Sequence, residues 1–394
     1  MKPGRRGPVL FGLWLTVVFL AAGGTIHSLK SVAANPTPVT PSAHVDARPV
    51  SARSTSAVGQ ASGAQPASEA SLRFEHISVE QGLSEASVHC TYQDSTGFLW
   101  FCTEDGLNRY DGHSFTGYRP GHGQNTITAS YVRSVCESPE GMLWIATTGG
   151  GLDRLNLKSG QFTNYSSLTD IRPSSDWLTT LLCDDDGAVW IGHVAVGLDR
   201  FDPATNQFTR YRHVEDEPRS LSAGEVHAIF RDQDGVLWIG TDSGLDRGDP
   251  VGQRFIHYRH DPQDPHSLGG SSVQAIYQDR EGALWIGTDG GLDRFDRLEE
   301  RFVHFKHDPK DPHSLSHNSV RAIFEDREGV LWIGTDAGLN TFDRQQGRFV
   351  RYQNDPSDPN SLSANWIWSI TQDREGKVWF GTYSGGVNKY DRFA

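Results

Sequence analysis

Positive charge is scarce in this 394-residue chain, where 36 Lys and Arg face 49 Asp and Glu for a net charge of −13. A protein that grips phosphates needs a basic patch, so no nucleic acid is expected as a partner. An anionic membrane surface is disfavoured for the same reason. Cysteine is scarce as well. The four present, Cys90, Cys102, Cys136 and Cys183, show no C-x-x-C spacing and do not read as a zinc site. The sequence also lacks H-E-x-x-H, G-x-S-x-G and paired-carboxylate signatures, so no catalytic residues, metal or cofactor are expected.

The apolar run from Val9 to Ala22 is 14 residues long, short for a comfortable membrane span, and follows Lys2, Arg5 and Arg6. Residues 1–34 therefore read as a signal peptide, with an uncleaved membrane anchor as the alternative. Cleavage would fall at Val32-Ala33-Ala34 or near Gly23-Gly24, and no cysteine follows to carry a lipid. Residues 35–71 are rich in Pro, Ala, Ser and Thr and cannot bury enough surface to fold, which makes them a disordered linker.

What is abundant is glycine, with 42 residues, and tryptophan, with 11, a balance that suits short strands and tight turns. Seven tryptophans recur in one context: Trp100, Trp144, Trp190, Trp238, Trp285, Trp332 and Trp379, spaced 44, 46, 48, 47, 47 and 47 residues apart. The fifth copy shows the unit as SSVQAIYQDREGALWIGTDGGLDRFD followed by RFVHF. It parses into four strands separated by Asp/Gly turns, the blade of a propeller. The fold expected over residues 72–394 is all-β, a single seven-bladed β-propeller. The seventh unit stops after its third strand, whereas Leu72-Arg73-Phe74-Glu75-His76-Ile77 precedes the first. That amino-terminal segment is expected to complete the last blade and so remove an open edge.

The shared tryptophans read as packing between blades and the turn aspartates Asp94, Asp184, Asp232, Asp279, Asp326 and Asp373 as hairpin caps. Cys90 and Cys102 fall at facing positions of one hairpin, where a disulfide is conceivable. Other repeats place Ala, Ser, Thr or Gly there, so small core residues are the favoured reading. Asp184-Asp185-Asp186-Gly187 lacks the downstream Glu of a calcium loop. The segments HDPQDPHSL, HDPKDPHSL and NDPSDPNSL (260–268, 307–315 and 354–362) read as rigid connectors rather than metal sites.

The pattern D-x-x-G-x-L-W-I-G-T-x-x-G-L-x-R-F/Y-D resembles the two-component regulator propeller repeats, and Ile77–Gly112 looks like a first blade of that family. The resemblance covers residue 72 to the end. It implies the extracytoplasmic sensory part of a hybrid histidine kinase or related receptor, periplasmic or extracellular, associated with a membrane receptor or kinase. Members usually carry a second propeller, an immunoglobulin-like domain, a membrane span and an output domain; this sequence holds one ring and no output segment. The alternatives are a non-signalling interaction scaffold and a lyase of the streptogramin-cleaving type.

Variable positions within the constant repeat point to a site. The residue 11 before each Trp is His89, Arg133, Thr179, His227, Gln274, Arg321 or Trp368, and the residue 13 before is Ser87, Tyr131, Trp177, Glu225, Ser272, Ser319 or Trp366. Innermost strands line the channel of a propeller, so these positions should converge on one face. His89, Arg133, Trp177, Glu225, His227, Gln274, Arg321, Trp366 and Trp368 are the expected ligand-binding residues. Aromatics with Arg and His suit a small molecule such as a carbohydrate or anionic metabolite, or a protein ligand.

Overall fold

The computed structural model describes residues 72–121, 125–249 and 254–393. The leader and linker expected over 1–34 and 35–71 lie outside the described residues. Among the described residues, twenty-eight short strands form seven four-stranded antiparallel sheets. Blades 1 to 6 run over Val88–Tyr118, Val132–Tyr165, Leu178–Tyr211, Val226–Tyr258, Val273–Phe305 and Val320–Tyr352. Blade 7 combines Ile367–Tyr390 with Phe74–Ile77. Each innermost strand contacts the innermost strand of the next blade, and the seventh contacts the first, so the ring is closed. Among the described residues, no helix is long and apolar enough to cross a membrane.

The closing strand pairs antiparallel with Val387–Tyr390, setting Phe74 against Tyr390 and Ile77 against Val387. Phe74 is buried, with its ring 5.8 Å from that of Phe380. The Phe74 N–H donates to the Asn360 carbonyl at 2.9 Å, and Lys389 pairs with Glu75. The first residues of the propeller are therefore tied to its last blade by ladder, core and charge.

In six of the seven blades the turn aspartate does more than cap a hairpin. One carboxylate oxygen accepts from turn N–H groups, as Asp279 does from Ala283 at 2.8 Å. The other accepts the indole N–H of the blade's tryptophan, at 2.7 to 3.0 Å. The glycine of the same turn, such as Gly282 at φ +86°, takes the left-handed conformation that the tight return requires. The tryptophans so held are at most 3% exposed and form the centre of each apolar layer between blades. Arg297, Arg344 and Arg392 then reach from the following blade to Asp232, Asp279 and Asp326 at 2.8, 2.7 and 3.1 Å.

A second device joins neighbouring blades. The Gln or Glu seven residues before the tryptophan accepts a turn N–H of the preceding blade. Glu137, Gln278, Glu325, Gln372 and Gln93 take it from Ser95, Gln233, Arg280, Arg327 and Arg374 at 2.6 to 2.8 Å. Between blades 3 and 4 an ion pair, Arg231 to Asp184, takes its place.

The seam between blades 2 and 3 has neither. Its turn carries Pro139, which has no N–H to give, and Ser138 instead of Asp. Here Cys136 and Cys183 form a disulfide across 47 residues of sequence. Cys90 and Cys102 are also bonded, across the hairpin of blade 1. The expectation that these cysteines serve as small core residues is thus corrected: none of the four is free. Cys102 does pack in the core, but its position opposite Cys90 places the two sulfurs within bonding reach.

Two outcomes follow for thermal unfolding. Phe74→Ala should cost about 3–5 kcal/mol, the range for losing a buried ring, and removal of residues 72–79 more than that; an unchanged melting temperature would exclude closure by this strand. Cys183→Ser should lower stability by about 4 kcal/mol on the loop-closure estimate for a 47-residue separation. Adding Pro139→Ala and Cys136→Leu to Cys183→Gln should recover part of that loss by rebuilding the hydrogen-bonded latch.

Candidate functional site

The variable residues are brought together by a backbone irregularity repeated in every blade. Each innermost strand begins with an apolar residue, from Val88 round to Ile367, that is 0% exposed. This residue fits against a near-backbone surface of the preceding blade. A Cβ on Gly240 would come within 2.7 Å of Val273 Cγ1, so only glycine allows that approach. Pairing with the second strand then skips one residue, with register shifts at Val88/Cys90, Val132/Ser134, Leu178/Thr180, Val226/Ala228, Val273/Ala275, Val320/Ala322 and Ile367/Ser369. The skipped residues are His89, Arg133, Thr179, His227, Gln274, Arg321 and Trp368. A β-bulge re-aims the extra side chain out of the ladder, and all seven line one cavity of about 300 Å3.

Of the nine expected site residues, the structure sets seven around this cavity: His89, Arg133, His227, Gln274, Arg321, Trp366 and Trp368. Trp177 and Glu225 are not on its wall. Trp177 is 56% exposed and bridges to Thr148 instead. Glu225 sits on the rim, 3.9 Å from His227. Of the residues 13 before the tryptophan, which precede the bulge, Trp366 alone is on the cavity wall, while Tyr131 and Ser272 touch the wall residues Arg133 and Gln274 from beside it.

One side of the cavity is aromatic. His89 stacks on Trp368 at 4.1 Å between ring centroids and lies 4.9 Å from Tyr131. Tyr383 meets Trp366 and Trp368 at 5.0 and 4.9 Å. The other side is polar. Arg321 donates to both oxygens of Asp336, at 2.8 and 3.1 Å, and lies 3.4 Å from Gln274 Oε1. Arg133 donates to the Tyr131 hydroxyl at 3.1 Å and has no carboxylate partner among the described residues. Two buried polar atoms on the aromatic side, Trp366 Nε1 and His89 Nε2, have no hydrogen-bond partner among the described residues. His89 Nε2 lies 3.4 Å from Glu104 Oε1 but is not aligned for a hydrogen bond.

Burial, helped by the Arg133 charge, pushes His89 down to about 3, so the ring is neutral at neutral pH. Burial also lowers His227; Asp242 opposes this and Arg133 and Arg321 add to it. Glu225 is raised by burial and by Asp242. The charged groups on the cavity wall are therefore two arginines, in a protein of net charge −13.

Sequence reasoning passed over a third variable position, four residues after each tryptophan. It holds Glu104, Asp242, Asp336 and Tyr383, each 15 residues beyond its blade's bulged residue. The hairpin register places the two side by side, as in Arg321–Asp336 and Trp368–Tyr383. Ser134, Thr180 and Cys90 also line the cavity, from the residue after the bulge. The linker histidines His260 and His307 take neighbouring backbone carbonyls, Leu268 and Leu315, at 2.6 Å. No group of His, Cys, Asp or Glu suited to a metal ion occurs among the described residues.

The sequence matches the two component regulator propeller repeat at residues 82–105, 220–243, 267–290, 314–337 and 361–384. These are blades 1 and 4 to 7; the two blades flanking the disulfide seam are not matched. Over 46 residues it is 48% identical to histidine kinase P4 of Formosa agariphila, covering 12% of this chain and 3% of that protein. Among solved structures it resembles the extracellular domain assigned to a hybrid two-component system of B. thetaiotaomicron, with 28% identity and a TM-score of 0.70, over 81% of this chain and 42% of that one. A streptogramin B lyase shares 15% identity at a TM-score of 0.59, over 81% of this chain and 97% of the lyase, which shows the fold alone. The chain thus spans less than half of the extracellular domain it matches. Five of the seven blades of its ring thus carry the two component regulator propeller repeat.

Proposed function

We propose that the chain is the extracytoplasmic sensory propeller of a two-component receptor, binding at its channel mouth a small ligand with a planar apolar face and an anionic group. The observation that carries this reading is the set of bulged residues. Seven blades with one scaffold each send a different side chain into a single cavity. Trp366, Trp368 and Tyr383 offer a platform for a sugar face or an aromatic ring. Arg133, which has no ion-pair partner among the described residues, supplies charge-assisted hydrogen bonds, while Gln274 and Thr179 add neutral ones. The extracellular placement of the related B. thetaiotaomicron domain supports a site outside the cytoplasm. Output would come from a domain or partner that the ring contacts.

A metabolite screen by thermal shift on residues 72–394, followed by calorimetry, tests the site. Arg133→Ala should weaken binding by about 1.5–3 kcal/mol, the worth of a hydrogen bond to a charged group. Stability should move by no more than about 0.5 kcal/mol. Trp368→Ala should also weaken binding. Arg321 is a poorer probe because its removal strands Asp336. Full affinity in both variants would overturn the assignment.

The neutral histidine makes a separate prediction. His89 titrates at 6.5 when unfolded and at about 3 when folded, so between these values the unfolded chain binds the extra proton. Its contribution therefore weakens the fold as pH falls through 6.5, by about 2 kcal/mol at pH 5 relative to pH 7.5. His89→Gln should flatten that part of the curve of stability against pH, measured by urea unfolding.

A further inference from the structure

One blade lacks a carboxylate that the other six carry. The turn residue six before the tryptophan is Asp in those blades and accepts the indole N–H at 2.7 to 3.0 Å. In blade 2 it is Ser138, and Trp144 Nε1 has no hydrogen-bond partner among the described residues. The indole has nevertheless kept its place. Trp144 stands 5.8 Å from Tyr165 at an interplanar angle of 34°, as Trp190 stands to Tyr211 at 5.6 Å and 33° and Trp285 to Phe305 at 5.7 Å and 36°. Its N–H therefore faces the position at which a carboxylate is missing.

Ser138 and Trp144 line a single hollow of about 250 Å3. They are 4% and 1% exposed, and Ser138 Oγ is without a partner among the described residues as well. Pro203 lines the same hollow, at the sequence position from which Arg297, Arg344 and Arg392 reach the aspartates of other blades. Arg154 supplies positive charge instead. Its guanidinium lies 5.6 Å from the Trp144 ring and has no ion-pair partner among the described residues. Of the acids on the wall, Asp186 pairs with Arg200 at 2.5 Å and Asp202 accepts the Ala204 and Thr205 N–H groups. Glu140 holds the turn position of Glu281, Glu328 and Glu375, each two residues after an aspartate that accepts its indole, so an acid there is compatible with a carboxylate in the hollow.

We propose that this hollow is a second binding site, taking a short-chain aliphatic carboxylate. The carboxylate would stand in for the missing aspartate, accepting from Trp144 Nε1 and Ser138 Oγ and facing Arg154. Two buried donors that otherwise go unpaired would then be satisfied. A turn N–H is placed to join them. The residue two after the aspartate donates to it in blades 1, 4, 6 and 7 at 2.9 to 3.1 Å, and in blade 2 that residue is Glu140. The alkyl end would rest on Met142, Pro203 and Ala204. None of these residues belongs to the channel cavity.

Acetate, propionate and acetamide, each titrated against the protein by thermal shift at constant ionic strength, test the site. The two carboxylates should raise the melting temperature saturably, and the neutral acetamide should not. In proton–nitrogen NMR spectra the Trp144 indole N–H should move downfield on addition of acetate, whereas the six indoles already bonded to aspartates should stay. Ser138→Asp supplies the carboxylate from the chain; this variant should melt higher than the parent and lose the response to acetate. Should it fail to fold, Ser138→Ala removes only the hydroxyl and should weaken acetate binding at least fivefold. An equal shift with acetamide, a Trp144 resonance that does not move, undiminished binding in the variants, or no response of the parent would each overturn the site.

Discussion

The ring depends on a carboxylate that faces two ways. In six blades the turn aspartate closes the first hairpin with one oxygen and fixes the tryptophan with the other. An indole buried without a partner for its N–H would cost about 1–3 kcal/mol. With the partner supplied from six residues away, the largest side chain in the blade is held in one orientation and can serve as the packing surface for the next. The same oxygen also receives an arginine from the following blade at three seams. Local turn, core and neighbour contact thus converge on one side chain, which is why the motif recurs with so little variation.

Blade 2 shows what happens when that side chain is lost. Ser138 does not bond the indole, and Trp144 Nε1 is left without a partner among the described residues. Pro139 removes the latch N–H at the same turn. The seam is held instead by Leu178 and Leu181 packing on Trp144 and by the bond from Cys136 to Cys183. A covalent link suits such a place, because it does not depend on a donor, an acceptor or a charge being present. The substitutions and the disulfide are best understood as one unit, since each of the polar devices that the seam lacks is supplied elsewhere in the ring.

The architecture was legible in the sequence because its signals are periodic. Spacings of 44 to 48 residues between tryptophans count the blades, and the stray Phe74-Glu75-His76-Ile77 reveals where the ring closes. The contacts between blades were not legible. Cys136 and Cys183 occupy different positions in their repeats, eight and seven residues before the tryptophan, and only the neighbouring of innermost strands joins them. The second role of the turn aspartates was hidden because the hairpin already explained them. For the site, variation between copies found the bulged positions. It could not show that a bulge sends residues 11 before the tryptophan inward while leaving Trp177 and Glu225 outside.

That bulge also explains how one scaffold carries unlike side chains at one place. A residue in a regular ladder faces a partner across the strand and a layer of core beneath it, so its size is constrained from both sides. The bulged residue has neither constraint. Its neighbours, a fully buried apolar residue before it and a small residue after it, carry the packing. His89, Arg133, Thr179, Gln274 and Trp368 can therefore differ in volume, charge and shape with no change to the blades that hold them. Gly248 is the contrasting case, a position inside the packed layer, held between Leu237 and Phe255. Variation at the bulges alters what the channel mouth can hold, whereas variation in the layers between blades alters the wall of the ring itself.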